Sequence, residues 1–233
     1  MNDRKYRYII FDADDTLVDY EKDSLRAFRA ALRAIGREDD EKLLKICIDF
    51  DYGNWDKVGL SDVHLPTVQA AFHDLYRGHV RDIFAYADKM CGLGGKAAEA
   101  ERIFLQEFSM PGIEVEGARE VVCELVARGY RVYAATNGLS SLQRSRLKEF
   151  PINGIFISEE IGAIKPTYAF FKHVLDCLKA RPSECLMVGD SLASDIEGAR
   201  RAGIDCVWLS RRNAPCPPGV REIKRLKALL DIL

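Results

Sequence analysis

Two periods of hydrophobic spacing divide the chain. Tyr8-Ile9-Ile10-Phe11 is an unbroken apolar run, the pattern of a strand covered on both faces in a parallel sheet, and it empties into Asp12-Ala13-Asp14-Asp15-Thr16. The spacing then turns helical. Leu25, Phe28, Leu32 and Ile35 recur through a helix predicted over residues 23–36 and closed by Gly36. A second apolar cluster covers residues 43–50, Asp51-Tyr52-Gly53-Asn54 reads as a turn, and residues 66–84 carry Val68, Phe72, Leu75, Tyr76, His79 and Ile83 on one stripe. After the break at Cys91-Gly92-Leu93-Gly94-Gly95, helical spacing resumes through Ala100, Ile103, Phe104 and Phe108 and stops at Pro111-Gly112. Residues 17–111 therefore read as an all-helical insertion.

Beyond Gly112 strands and helices alternate: helix 117–128, strand 131–136, helix 139–148, strand 154–158, helix 167–179, strand 185–188, a short helix 194–202 and strand 204–209. A Pro-rich loop over residues 213–219 leads to a predicted basic amphipathic C-terminal helix. The expected fold is α/β, a Rossmann-like doubly wound parallel sheet built from residues 1–16 and 112–233, with the all-helical domain inserted between them.

Composition narrows the function. The chain has 233 residues, is 48% hydrophobic and has a formal net charge of -2, so no global positive field draws it to nucleic acid or anionic membrane. The basic segments Arg144-Ser145-Arg146-Leu147-Lys148, Arg211-Arg212 and 221–227 read as solvated faces. Seven cysteines form no C-x-x-C pair, which points to reduced thiols and away from a zinc ribbon or disulfide scaffold. The four histidines lack ligand spacing, and Met90 stands where a phosphate loop ending at Gly95-Lys96 needs its first glycine. The N-terminus is polar and basic without an apolar core, and no run approaches the ~20 residues of a membrane span. A soluble cytoplasmic protein, monomer or homodimer, acting on a small molecule is expected.

The candidate chemistry lies at strand ends. Asp12 and Asp14, two apart, face one side of an extended segment. Thr136 and Asn137 follow the second strand, Lys165 lies on a later loop, and Asp190 follows Gly189 with Asp195 close behind. Each alone has a plain reading: Thr136-Asn137-Gly138 as a turn, Lys165-Pro166 as an exposed loop, Asp195 as an acid at a helix start. In a parallel sheet all these ends open on one edge. Together, acids, one lysine and small hydrogen-bonding groups suit Mg²⁺-assisted phosphoryl transfer to a carboxylate, in which cations offset repulsion between nucleophile and phosphate.

These residues resemble the four motifs of the haloacid dehalogenase superfamily of phosphohydrolases, in order and over nearly the whole chain. Asp12-Ala13-Asp14-Asp15-Thr16 matches D-x-D-x-T, Thr136 with Asn137 the second motif, Lys165 the third, and Gly189-Asp190-Ser191-Leu192-Ala193-Ser194-Asp195 the fourth. The resemblance implies Asp12 as nucleophile, Asp14 as general acid and later base, and Thr136, Asn137 and Lys165 as phosphate-binding. It implies Mg²⁺ held by Asp12, the Asp14 carbonyl and Asp190, with Asp195 in support. The insertion resembles the cap of the subfamily whose lid sits between the first two motifs. Tyr20, Trp55 and the segment around His64 are candidates to face substrate, or else to pack inside the cap. Asp15 stands where glycine is usual. An Asp-Asp-Thr version resembles the house-cleaning nucleotidases that act on pyrimidine nucleoside monophosphates, and the Asp15 side chain is expected to turn outward while its N–H serves the site. The implied function is a phosphomonoesterase acting through an aspartyl-phosphate on a small phosphate ester, with a nucleoside 5'-monophosphate as the candidate the Asp-Asp-Thr version suggests. A phosphosugar mutase, a 2-haloacid dehalogenase and a binding module without turnover are the alternatives.

Overall fold

The computed structural model describes residues 5–211 and 215–233. Residues 1–4 of the basic N-terminus, Arg212 of the basic pair and Asn213 at the start of the Pro-rich loop lie outside the described residues.

Strand β1 (Tyr8–Phe11) is buried along its whole length. Its side chains alternate between two hydrophobic clusters, Ile9 and Phe11 in one, Tyr8 and Ile10 in the other, as a strand inside a sheet covered on both faces must. Four helices follow: α1 (Tyr20–Ala34), α2 (Glu41–Lys57), α3 (Pro66–Cys91) and α4 (Ala97–Phe108). They share a separate core around Phe28, Leu32, Phe84 and Phe104. Helix α1 begins three residues before the predicted start because the Asp19 carboxylate caps it, accepting the Lys22 N–H at 3.1 Å.

Helix α2 runs straight through residues 51–54, where a turn was expected. Gly53 costs a helix interior about 1 kcal/mol, but Asp51 and Asn54 on either side of it are both tied to His79 of α3. Tertiary contacts override the local turn signal.

The segments that lead out of β1 and back toward the sheet run side by side. The Asp19 N–H donates to the Ile113 carbonyl at 2.7 Å and the Val115 N–H to the Leu17 carbonyl at 2.9 Å. The Ile113 N–H donates to the Asp23 carboxylate at 2.9 Å. Gly112 permits this approach, since a Cβ there would overlap Val18.

The remaining elements are α5 (Ala118–Ala127), β2 (Arg131–Thr136), α6 (Ser140–Arg146), β3 (Gly154–Ile157), α7 (Ser158–Ile161), α8 (Tyr168–Leu178), β4 (Cys185–Gly189), α9 (Glu197–Arg201), β5 (Asp205–Leu209) and β6 (Arg221–Ile223). All six strands are parallel, in the order β3-β2-β1-β4-β5-β6. This is the expected doubly wound α/β sheet. Val121, Val122 and Leu125 of α5 cover one face, and Phe170, Phe171 and Val174 of α8 with Ala199 of α9 cover the other.

The C-terminus departs from expectation. In place of a basic amphipathic helix, Arg221–Ile223 adds the edge strand β6, and a 3-10 stretch, Leu226–Asp231, buries Leu226 and Leu229. Ile223 turns inward while Arg221 stays exposed, an alternation too short to separate from helical spacing by eye. Among the described residues no helix is long and apolar enough to cross a membrane.

Candidate active site

Strand order reverses beside β1, where a doubly wound sheet opens a crevice beyond its strand ends. There β1 delivers Asp12, whose N–H is fixed by the Val188 carbonyl of β4 at 2.8 Å. Lys165 reaches in from its loop and is 2% exposed. Its Nζ donates to Asp12 at 2.5 Å, to Asp195 at 2.7 Å and to the Ala135 carbonyl at 2.7 Å. One lysine thus joins residues from β1, β2 and the stretch after β4.

Asp195 is fully buried and also accepts the Ser191 N–H at 3.1 Å. A Cβ on Gly189 would collide with its side chain, so the glycine that ends β4 is the condition for this packing. The Asp190 carboxylate has no hydrogen-bond partner among the described residues, and its backbone carbonyl accepts from the Trp208 indole at 2.7 Å. Carboxylate oxygens of Asp12, Asp190 and Asp195 lie within 4.8 Å of one another.

The electrostatics follow from this crowding. Burial first, then Asp195, push Asp12 up to about 8 against the opposing pull of Lys165. Burial, Asp12 and Asp195 drive Asp190 well above the usual carboxylate range. Burial works against a charged Lys165, but Asp12 and Asp195 outweigh it and hold the ammonium well above its ordinary value. Of the three acids, two are bonded to the one lysine. An all-oxygen, anionic donor set with one carboxylate lacking a protein partner fits a hard divalent cation.

Asp14 is held from a direction that sequence reasoning missed. Its carboxylate accepts from Gln143 Nε2 at 2.8 Å and pairs with Arg146. Arg146, read as part of a solvated basic face, is fully buried. It also pairs with buried Asp23 of α1 at 2.8 Å and lies over the Phe108 ring of α4 at 4.4 Å. The signal was present: Leu139, Leu142, Gln143, Arg146 and Leu147 are spaced as one helix face, and all five are buried. Arg144 and Lys148, off that face, are exposed, and Arg144 pairs with Glu160.

Asp15 adopts φ +59°, the left-handed region that explains why glycine is usual there and why Asp is among the side chains that tolerate it. Its carboxylate pairs with Arg211 at 2.8 Å and accepts the Tyr20 N–H at 3.3 Å. Its own N–H donates to the Val18 carbonyl at 2.7 Å, so that N–H closes the loop and is not free to serve the site as expected.

Thr136, at the end of β2, is buried and borders the same cavity as Asn137. The Asn137 side chain is engaged by the Lys165 backbone at both ends, accepting its N–H at 2.8 Å and donating to its carbonyl at 2.9 Å. The amide therefore fixes the loop that carries Lys165.

These residues open into a cavity of 390 Å³. Asp12, Asp14, Thr136, Lys165, Asp190 and Asp195 line it from the sheet, and α1–α3 supply Tyr20, Asp51, Tyr52, Trp55, Phe72 and Tyr76. Tyr20 and Trp55 both line the cavity and also pack against the helical core. Val63 borders it too, while His64 is exposed and faces Glu197 at 3.3 Å.

The family model of the haloacid dehalogenase-like hydrolases matches residues 6–203. The chain belongs to this family. It is 28% identical over 211 residues to the pyrimidine 5'-nucleotidase PynA of Streptococcus pneumoniae, covering 87% of this chain and 83% of that one. It is 31% identical to a glyceraldehyde 3-phosphate phosphatase of Pyrococcus abyssi, over 97% of this chain and 93% of that one. Among solved structures it resembles the HAD-hydrolase YfnB of Bacillus subtilis bound to magnesium, with a TM-score of 0.80, 25% identity and 99% of each chain covered. The chain is thus an enzyme, a hydrolase several of whose sequence relatives are phosphatases and 5'-nucleotidases.

Proposed function

We propose that this enzyme is a Mg²⁺-dependent phosphomonoesterase of the cytoplasm whose substrate is a nucleoside 5'-monophosphate. The observation that carries the reading is the Lys165 ammonium bonded to both Asp12 and Asp195 beside the Asp190 carboxylate, which has no hydrogen-bond partner among the described residues. That arrangement holds a nucleophilic carboxylate where cations surround it, which an anionic substrate requires.

Asp12 and Asp190, with the Asp14 carbonyl, would hold Mg²⁺, and Asp195 supports them through Lys165. When bound, the ion supplies positive charge against the nucleophile and the phosphoryl oxygens. An Asp12 oxygen attacks phosphorus, and the bond to the leaving oxygen breaks as Asp14 gives that oxygen its proton. Asp14 then takes a proton from water, the water oxygen attacks the aspartyl-phosphate, and the bond to Asp12 breaks to release inorganic phosphate. Gln143 and Arg146 hold the Asp14 carboxylate in one orientation for both transfers. The Lys165 ammonium, itself held by Asp195 and the Ala135 carbonyl, binds phosphoryl oxygen.

Residues 17–111 act as a cap that excludes competing water and selects the leaving group. Its aromatic wall of Tyr52, Trp55, Phe72 and Tyr76 favours a flat ring over a sugar, and the nucleotidase relatives PynA of Streptococcus pneumoniae and YjjG of Escherichia coli support the same choice. A 2-haloacid dehalogenase needs no second acid, whereas Asp14 is present and held. The likeness to solved dehalogenases, at 16–24% identity, concerns the fold alone.

The test is phosphate release from p-nitrophenyl phosphate with Mg²⁺, with chelator, and by Asp12→Asn. Release is expected only from the wild type with Mg²⁺, and equal rates in wild type and variant overturn the nucleophile assignment. A clear preference for sugar phosphates over uridine or thymidine 5'-monophosphate would reject the nucleotide reading.

A further inference from the structure

The helical half of the cavity contains a buried ionisable group that the phosphoryl chemistry does not use. Asp51 of α2 is 3% exposed and His79 of α3 is 1% exposed, 2.7 Å apart, amid packing that is otherwise largely apolar. Burying such a pair is costly, and apolar residues of similar volume commonly stabilise a fold as well or better. The pair ties α2 to α3 beside Gly53, a role that does not account for a carboxylate bordering the cavity.

The hydrogen bonds fix its state. The Asn54 side-chain nitrogen lies 3.1 Å from His79 Nδ1. An amide nitrogen only donates, so Nδ1 accepts, and the ring's proton sits on Nε2, which donates to Asp51 Oδ1. Asp51 Oδ1 is thereby an acceptor held in one orientation. Among the described residues its second oxygen, Oδ2, meets only the Tyr20 hydroxyl, at 3.3 Å, and that hydroxyl is shared with Oδ1 at the same distance. A carboxylate oxygen with acceptor capacity left over is what a ligand donor would find.

Position supplies the rest. Asp51 borders the cavity that holds Asp12, whereas His79 stands behind it. Trp55 lies edge-on to both Tyr76, at 5.5 Å and 88°, and His79, at 5.3 Å and 89°, which locks the indole beside the carboxylate. Flat apolar walls then flank one charged acceptor at the end of the cavity away from the sheet.

We propose that Asp51 is a specificity determinant: its Oδ2 accepts a hydrogen bond from a ring N–H or amino group at the edge of the substrate's base, with Trp55 and Tyr76 as flat walls and His79 and Asn54 fixing the carboxylate. The proposal rests on the phosphomonoesterase reading and deepens it. It selects a nucleobase that presents a donor at that edge and disfavours one that presents only acceptors.

The experiment compares uridine 5'-monophosphate with its N3-methyl analogue, which lacks the ring N–H, in the wild type and in Asp51→Asn, with p-nitrophenyl phosphate and the wild type as a separate measure of the phosphoryl chemistry. A hydrogen bond to a charged acceptor predicts a KM at least about tenfold higher for the methyl analogue in the wild type. In Asp51→Asn the KM for uridine monophosphate rises and the ratio between the two nucleotides falls toward one. If the Asn variant does not fold, Asp51→Glu, which keeps the charge opposite His79 but moves the oxygens by a methylene, provides the same readout. Equal KM values in the wild type overturn the proposal. So does a ratio that survives at position 51, since that would reflect a steric clash of the methyl group. Turnover of the aryl phosphate without turnover of uridine monophosphate overturns it as well, leaving the phosphatase reading standing, while absence of both activities refutes that reading itself.

Discussion

Replacing Arg146 with methionine tests whether the buried guanidinium holds the sheet and the helical segment together. The side chain is fully buried, as is its partner Asp23, and it makes two contacts to Asp23 Oδ2, at 2.8 Å and 3.2 Å, beside its pairing with Asp14. Methionine fits the space and keeps contact with Phe108, so the main loss is the cation. Removing one partner of a buried pair typically costs 3–5 kcal/mol, because the other charge stays behind unpaired. Asp23 keeps Arg26 at 3.0 Å and the Ile113 N–H at 2.9 Å, and Asp14 is partly exposed to water. The expected cost is therefore at the lower end, about 3 kcal/mol. For a chain of this length that corresponds to a fall in Tm of roughly 6–12 °C. Urea unfolding of Arg146→Met and of Arg146→Met with Asp23→Asn separates the terms. The second substitution keeps an acceptor for the Ile113 N–H but removes the stranded charge, so the double variant should be more stable than the single one. A single variant that loses less than about 1 kcal/mol, or a double variant no better than the single, would refute the account.

Two further outcomes follow from the same geometry. Asp19→Ala removes the cap of α1 and the acceptor of a part-exposed Arg211 at 2.9 Å, and should cost about 1–2 kcal/mol at neutral pH. Burial raises the Asp19 pKa, but the Lys22 N–H and Arg211 outweigh it and the folded value lies below the ordinary one. The stabilisation is thus fully present above the unfolded value of about 3.9 and is lost as pH falls through the folded value; thermal melts should show the gap to the variant closing below about pH 4, and a gap that widens there would contradict the sign. Gly189→Ala should displace Asp195 from the end of β4 and loosen its bond to Lys165, lowering kcat for aryl phosphate tenfold or more with a stability loss of about 1–3 kcal/mol. Unchanged kcat would show that the Asp195–Lys165 contact does not matter to turnover.

The sheet was legible because parallel strands buried on both faces write themselves as apolar runs, as Tyr8–Phe11, Cys185–Gly189 and the last four residues of Asp205–Leu209 do. Their ends were legible because acids after such runs demand a partner, and Lys165 reaches both Asp12 and Asp195. Three features were not. Helix α2 crosses Gly53 because Asp51 and Asn54 reach His79, a contact that local composition does not record. Strand β6 is only three residues long and takes its register from β5. Arg146 was taken for surface because its charge was weighed ahead of its place on a face of buried residues. In each case a long-range partner decided what local preference left open.

The paired crossing between residues 17–19 and 113–115 also bears on how such a chain can be altered. Val18 and Glu114 are bridge partners, so the two ends of everything between them emerge side by side. A short turn in place of residues 20–111 would span that gap, and any other helical unit with closely spaced termini would graft onto the same two stubs. Under the proposed function, substrate choice would then be encoded in a replaceable block of sequence, while the residues proposed to break the phosphate ester would stay with the sheet. Arg146 ties the block to the chemistry through Asp23 and Asp14, and a graft that omits an acid to meet it would leave that arginine buried with half its partners.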